Sequence, residues 1–343
     1  MTGKLIFEDK STFEGISFGT QKSIAGEVVF STGMAGYPES FTDPSYSGQI
    51  LILTYPLVGS YGVPNKKFFE SPKIHIAGLI VSTYIDTPSH FQSVMTLGKW
   101  LENEGTPALI IKDTRFLTQK IRTKGAMLGK IVMNADVKLY DPNKENLVAN
   151  VSTKKITEEG SGKKTILLYD CGAKENIKRA LLKRGVKVIT VPWDFDPSSS
   201  NIKFDAVVIS NGPGDPKMAD KTIERVKTFL KEKIPVLGVC LGHQILALAA
   251  GGDTSKLKFG HRSQNQPSLL EGTSRCYITT QNHGFAVSKI PTGFKHWFIN
   301  ANDGSNEGII HEKLPFMSVQ FHPEACPGPT DTEWIFDYFL DKI

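Results

Sequence analysis

Short apolar runs and amphipathic runs alternate along the second half of the chain. The apolar runs have the length and β-branched content of buried strands, and they span residues 165–170, 186–191, 206–210 and 236–237. Residues 174–184 and 222–231 lie between them and have the apolar spacing of helices. This alternation predicts βαβ units and an open, mostly parallel α/β sheet. Ligand sites in such sheets lie at the carboxyl ends of the strands.

The first half of the chain predicts a mixed β/α domain instead. Strands are expected at residues 4–8, 12–18, 26–30 and 49–54. Helices are predicted at 91–101, with Ser89 as the N-cap, and at 113–124, ending at Gly125. Residues 151–164 are polar, charged and glycine-containing, which is typical of a linker. We therefore expect an N-terminal domain over 1–150, a linker over 151–164 and a second domain over 165–343.

Composition narrows the class of protein. The chain has 343 residues, 22% of them charged, and a net charge of +5 that is scattered rather than clustered, so we expect no nucleic-acid partner. It contains no apolar run long enough to span a bilayer and no signal-peptide pattern at its start, so we expect no membrane partner. The four cysteines match neither a zinc pattern nor a disulfide framework. A reducing, cytoplasmic location is predicted.

Cys240 is the first residue that indicates chemistry. It lies between the strand ending near residue 239 and a helix predicted from Leu241 to Ala250. Gly238 and Gly242 flank it, and small residues there allow the sharp bend of a nucleophile elbow. The sulfur of an elbow cysteine lies at a helix N-terminus, which favours the thiolate. A buried structural cysteine is the alternative for an isolated residue.

A base and an orienting carboxylate are predicted near the C-terminus. His322 and Glu324 follow a strand predicted at 318–321, and their spacing of two places both side chains on one side if the chain stays extended. The backbone N–H of Leu241, together with the glycine-rich loop at Gly212 and Gly214, is expected to form an oxyanion hole. This set of groups is typical of a cysteine hydrolase.

The same motifs resemble those of class I, triad-type glutamine amidotransferases. The resemblance rests on the segments 211–216 (NGPGDP), 238–244 (GVCLGHQ) and 322–324 (HPE). Further segments at 26–37, 42–47, 258–267 and 280–286 are similar to the glutaminase subunit or domain of carbamoyl phosphate synthetases. Residues 300–309 look most like the eukaryotic, pyrimidine-pathway form, with an arginine-pathway role as the alternative.

The resemblance implies a specific set of functional residues and partners. It implies that Cys240, His322 and Glu324 form the catalytic triad that hydrolyses L-glutamine through a thioester. It implies substrate contacts at Ser45, Gly212, Gly214, Leu241, Gln244, Asn282, Gly284 and Phe285. It implies no metal or cofactor in this chain. A synthetase large subunit or fused synthetase domain would receive the ammonia and use ATP, magnesium and bicarbonate.

Two other functions remain as alternatives. One is a stand-alone hydrolase or the glutaminase of another biosynthetic complex, such as one making guanine or anthranilate. The segments Gly-Tyr-Pro-Glu at 36–39 and Asp-Pro-Ser-Tyr-Ser at 43–47 argue against it, because those enzymes lack them. The other is a non-catalytic regulatory module, which the intact Cys240, His322 and Glu324 disfavour.

Overall fold

The computed structural model describes residues 1–343. The chain divides into two compact units. One contains Met1–Glu145 and Lys258–Ser263, and the other contains Asn146–Leu257 and Gln264–Ile343. None of the helices combines the length and the apolar character needed to cross a bilayer.

The first unit is built around a closed barrel of seven strands. Its strands are β1 Thr2–Phe7, β2 Thr12–Ser17, β3 Ile24–Ser31, β4 Gln49–Leu53, β5 Gly78–Val81, β6 Ala108–Ile110 and β7 Met127–Val132. They neighbour one another in the order β1-β2-β6-β5-β4-β3-β7, with the three pairs from β3 to β6 parallel and the rest antiparallel. The helices are α1 Tyr37–Thr42, α2 Leu97–Asn103 and α3 Thr114–Lys124.

The two longer helices of this unit show where local sequence signals succeed and fail. The prediction for α3 is confirmed, since Asp113 caps it through a 2.9 Å bond to the Phe116 N–H and the chain leaves it at Gly125. The prediction of a helix from residue 91 is wrong in its first part. Thr96 caps α2 instead, accepting from the Lys99 N–H at 3.2 Å. Phe91 is 89% exposed, so its apolar character does not mark a buried helix face.

The second unit contains a ten-stranded sheet. Its strands are β8 Thr157–Glu159, β9 Thr165–Asp170, β10 Lys187–Pro192, β11 Ala206–Ile209, β12 Val236–Val239, β13 Asp253–Leu270, β14 Cys276–Lys289, β15 Phe294–Asn300, β16 Asn306–His311 and β17 Phe316–Val319. The strand order is β14-β13-β15-β16-β17-β12-β11-β9-β10-β8. The five adjacent strands β10, β9, β11, β12 and β17 are mutually parallel, as the alternating pattern predicts. Within the predicted linker, Thr157–Glu159 pairs with β10 as an edge strand.

Helices cover both faces of the parallel part of this sheet. They are α4 Leu147–Val151, α5 Glu175–Lys183, α6 Asp220–Glu232, α7 Leu241–Ala249 and α8 Trp334–Leu340. Successive residues of one strand belong to different apolar clusters: Leu168 packs in the cluster that contains α5 and α8, and Leu167 in the one that contains α6 and α7. Burial on both faces explains why these strands are continuously apolar in sequence.

The register of two neighbouring strands positions the site. Gly238 pairs with Ser318 and Val239 with Val319, so β12 and β17 end side by side. The Cys240 N–H continues this pairing with a 2.8 Å bond to the Val319 carbonyl. The residues that follow both strands therefore meet at the same edge of the sheet.

Candidate active site

Cys240 occupies a strained turn between β12 and α7. Its φ of 55° and ψ of −102° are unusual for a residue with a side chain, and its side chain is 1% exposed. Only glycine fits at positions 238 and 242, on either side of Cys240. A Cβ at Gly238 would lie 2.4 Å from the Gly242 carbonyl oxygen, and one at Gly242 would lie 2.1 Å from the Ile209 carbonyl oxygen. The local structure is therefore the sharp strand-to-helix bend that the sequence predicts.

His322 and Glu324 are joined by a short hydrogen bond in a turn. The distance from His322 Nδ1 to Glu324 Oε1 is 2.6 Å. The expectation that the chain stays extended here is wrong, because β17 ends at Val319 and the Ala325 N–H bonds back to the His322 carbonyl at 3.1 Å. Ala325 has a positive φ of 56°. The two side chains meet because the turn brings the carboxylate back toward the ring.

A buried lysine completes this ion pair. Lys174 Nζ lies 3.0 Å from Glu324 Oε1 and also donates to the Ala325 carbonyl. Lys174 was not predicted as a site residue. It directly precedes α5, and a cation there opposes the helix dipole. That unfavourable placement is the one sequence signal that could have identified it.

Burial and charge together set the ionisation of the pair. Burial alone would raise the pKa of Glu324, but Lys174 and His322 outweigh it and lower that pKa to about 2. Burial and Lys174 lower the pKa of His322, whereas Glu324 and Cys240 raise it, and the net result is a pKa of about 10. The imidazole is therefore held as a cation beside an ionised carboxylate.

The Cys240 sulfur has two polar contacts besides this imidazole. Sγ lies 3.7 Å from the Asn282 carbonyl oxygen and 3.7 Å from Gln320 Nε2. Cys240 raises the pKa of the buried ring through its charge and through a side-chain hydrogen bond. Nε2 is therefore the ring nitrogen left to exchange a proton with the sulfur, since Nδ1 is engaged by Glu324.

The glycine-rich loop after β11 packs against the elbow. A Cβ at Gly212 would lie 2.1 Å from the Cys171 carbonyl oxygen and 2.8 Å from Leu241 Cδ2, so only glycine fits there. Gly214 has a φ of +83°, which also favours glycine. Leu241 itself is buried. Gly212 and Leu241 therefore lie together next to Cys240, and the role of their N–H groups as an oxyanion hole stays a prediction.

Strand β14 supplies the next group of predicted substrate contacts. Asn282 lies on it with its carbonyl toward the sulfur, and Gly284 and Phe285 follow. Gln244, on α7, donates from Nε2 to the Phe285 carbonyl at 2.7 Å and to Gln320 Oε1 at 3.0 Å. Asn282, Phe285 and Gln244 therefore lie in one cluster with Cys240, and their roles as substrate contacts, like that of Gly284, stay predictions.

Ser45 belongs to the first unit. It is buried in a 3₁₀ turn at Pro44–Tyr46, where its N–H donates to Asp43 Oδ1 at 2.9 Å. The turn predicted at residues 43–47 is confirmed. Its role as a glutamine contact stays a prediction.

Two family models match this chain, one for each half. The model "Glutamine amidotransferase class-I" matches residues 167–342, and the model "Carbamoyl-phosphate synthase small chain, CPSase domain" matches residues 5–131. The carbamoyl phosphate synthase arginine-specific small chain of Saccharomyces cerevisiae is 47% identical, covering 97% of this chain and 86% of that protein.

Other relatives are much longer proteins. The multifunctional protein pyr-3 of Neurospora crassa is 47% identical over 99% of this chain, and the multifunctional protein CAD of Squalus acanthias is 49% identical over 98% of it. This chain spans 21% and 16% of their respective lengths. A crystal structure of a glutamine amidotransferase from Thermotoga maritima is 17% identical, with a TM-score of 0.40 over 53% of this chain and 84% of that one.

Proposed function

This chain belongs to the carbamoyl-phosphate synthase small chains, a family with a class-I glutamine amidotransferase domain, and from that premise we propose that it hydrolyses L-glutamine to glutamate and ammonia. One observation carries the proposal. In a buried His322–Glu324 pair, Nδ1 and Oε1 are 2.6 Å apart, and an elbow cysteine raises the pKa of the same ring through a side-chain hydrogen bond. That arrangement supplies a nucleophile, a proton carrier and an orienting carboxylate in one place.

The proposed reaction uses these groups in sequence. His322 Nε2 holds the proton of the Cys240 thiol, and the thiolate attacks the side-chain amide carbon of glutamine. The N–H groups of Leu241 and Gly212 stabilise the oxyanion. The His322 cation gives its proton to the amide nitrogen, so ammonia leaves and a glutamyl thioester remains. Water then attacks the thioester while His322 accepts its proton, which releases glutamate and restores the Cys240 thiolate beside the His322 cation.

The contacts of Gln244 refine how glutamine would bind. Both hydrogens of its amide nitrogen point to acceptors within the chain, at the Phe285 carbonyl and at Gln320 Oε1. Its oxygen is then the group that would bind substrate, and an oxygen accepts from the α-ammonium of glutamine rather than from the α-carboxylate. We assign the remaining contacts to Gly214, Asn282, Gly284, Phe285 and Ser45, in keeping with the family resemblance.

The ammonia would be used by a synthetase partner. The family model and the arginine-specific relatives both carry the name of carbamoyl phosphate synthase, so we propose carbamoyl phosphate as the product of the complex. In keeping with the family resemblance, we propose a pyrimidine-pathway role in the cytoplasm, with the synthetase as a large subunit or a fused domain. The multifunctional relatives, of which this chain spans 21% and 16%, support the fused arrangement. ATP, magnesium and bicarbonate would then bind to the synthetase and not to this chain.

Glutamate release by the purified protein, alone and with a carbamoyl-phosphate synthase large chain, tests the proposal. We expect activity that rises when the synthetase is added and that falls by at least about 10³-fold in Cys240→Ser. Cys276→Ser, which alters an exposed cysteine, is the matched control and should keep full activity. Glutamate release by Cys240→Ser at the wild-type rate would refute the assignment of Cys240 as the nucleophile. If the wild-type complex released no glutamate, the non-catalytic alternative would be favoured.

A further inference from the structure

Gln320 lies beside the nucleophile although the sequence motifs do not mark it as a site residue. It is the first residue after β17 and is fully buried, with its N–H bonded to the Glu307 carbonyl at 2.8 Å. The register that pairs Val239 with Val319 places Gln320 next to Cys240. A fully buried amide is costly unless its polar atoms are satisfied, so its contacts are informative.

The orientation of the Gln320 amide follows from a chain of contacts that starts at a backbone carbonyl. The Phe285 carbonyl can only accept, so the Gln244 group 2.7 Å from it must be the nitrogen. That nitrogen lies 3.0 Å from the Gln320 amide, and its second hydrogen requires an oxygen there as the acceptor. The remaining end of the Gln320 amide is then the nitrogen, and it faces Cys240 Sγ at 3.7 Å.

The sulfur therefore lies between two groups with opposite preferences. The Asn282 carbonyl oxygen, at 3.7 Å, accepts from a thiol S–H and repels a thiolate. The Gln320 N–H donates to the sulfur, and a hydrogen bond of that kind is stronger when the acceptor is ionised. The His322 cation favours the thiolate, and the balance between thiol and thiolate depends in addition on Gln320, a donor that the catalytic triad does not include.

We propose that Gln320 is a positioning residue that stabilises the Cys240 thiolate, and that Gln244 fixes which end of the Gln320 amide faces the sulfur. The inference rests on the proposed glutaminase function, in which the thiolate is the nucleophile. It gives Gln244 a second role besides binding glutamine. A substrate that hydrogen-bonds to the Gln244 amide would therefore change the stability of the Cys240 thiolate through Gln320.

Alkylation of Cys240 by iodoacetamide across pH 5–10, without glutamine, tests this inference. Only the thiolate reacts, so the pH profile reports its stabilisation directly. Peptide mass spectrometry separates Cys240 from the exposed Cys276, which serves as the internal control in every sample. Gln320→Met removes the donor at similar volume, and Gln320→Glu keeps an acceptor for Gln244 while placing a carboxylate against the sulfur.

The expected results differ between the variants. Gln320→Met should slow alkylation at neutral pH by about tenfold and move its rise to higher pH, as the loss of a hydrogen bond to a charged group implies. Gln320→Glu should slow it further. Gln244→Leu should slow alkylation in the wild-type background, because the amide is then free to turn, and should have no further effect in Gln320→Met.

The overturning result is equally specific. Circular dichroism and thermal unfolding identify which variants fold. Because two different substitutions are made at residue 320, the test still works if one of the two variants does not fold. Folded Gln320 variants that alkylate Cys240 with the wild-type pH profile would refute the role assigned to Gln320. The proposed glutaminase function fails on a different result, the absence of glutamate release by wild-type protein, which leaves the alkylation experiment readable.

Discussion

Lys174 and Glu324 are 150 residues apart in the chain, yet Lys174 Nζ lies 3.0 Å from Glu324 Oε1 with both side chains buried. Three ionisable groups are therefore in contact in a row, with Glu324 between Lys174 and His322. Breaking a buried pair leaves its partner uncompensated, whereas exposed pairs are worth little. Lys174 therefore affects both the stability of this unit and the ionisation of its proposed base.

Lys174→Met should lower the free energy of unfolding by about 3 kcal/mol. It should also raise the pKa of His322 further, because Lys174 acts to lower that pKa. Urea denaturation measures the first effect, and the pH dependence of glutamate release measures the second. Lys183→Met, at the far end of α5 with a 73% exposed side chain, is the control and should change stability by less than about 0.5 kcal/mol. Equal stability losses in the two variants would argue against the buried pair.

The His322–Glu324 pair predicts a pH-dependent contribution to stability. The pKa of His322 is raised from 6.5 to about 10 in the folded protein, so its contribution is complete below pH 6.5 and is lost as the pH rises through about 10. The difference in unfolding free energy between wild type and His322→Gln should therefore shrink between pH 6 and pH 10. Urea denaturation across this range measures it, and a constant difference would contradict the ionised pair.

The acid side is governed by Glu324. Its pKa is lowered from 4.5 to about 2, so its contribution is present above pH 4.5 and is lost as the pH falls through about 2. Glu324→Gln should thus approach the stability of wild type only at strongly acidic pH. Thermal unfolding at pH 3 and pH 6 checks this, and a stability gap that widens toward acid would have the wrong sign.

The tight elbow predicts that Gly242→Ala is destabilising although alanine favours helices. The added Cβ would lie 2.1 Å from the Ile209 carbonyl oxygen, a backbone atom that cannot swing aside. We expect a loss of about 2–3 kcal/mol and slower alkylation of Cys240, because α7 must shift away from β11. Lys227→Ala, on the exposed face of α6, is the control for a harmless alanine. Unchanged stability in Gly242→Ala would mean that the elbow is looser than the contacts indicate.

Much of this fold follows from local patterns, and much of the site does not. The parallel strands, α3 and the bend at Cys240 were predictable because alternation, capping residues and paired glycines act within a few residues of one another. The start of α2 was not, because Phe91 is apolar and yet exposed. The 322–324 segment was expected to be extended, whereas a turn forms there.

The roles of Lys174 and Gln320 depend on contacts between distant parts of the chain, which no local sequence pattern predicts. Lys174 reaches Glu324 because β9 ends and α5 begins near the turn after β17. Gln320 reaches Cys240 through the register of β12 against β17. Recognising either residue required the packed sheet, because the contact of Gln320 with Cys240 spans 80 residues and that of Lys174 with Glu324 spans 150.

The central claim is that the Cys240 sulfur forms a covalent bond to glutamine. Mixing the protein with isotope-labelled glutamine, quenching in acid within its turnover time and analysing the peptides by mass spectrometry tests it most directly. We predict a labelled glutamyl group on the peptide that contains Cys240, and none on that peptide in Cys240→Ser. Rapid glutamate formation with no label on Cys240, or with label on another cysteine, would contradict the account.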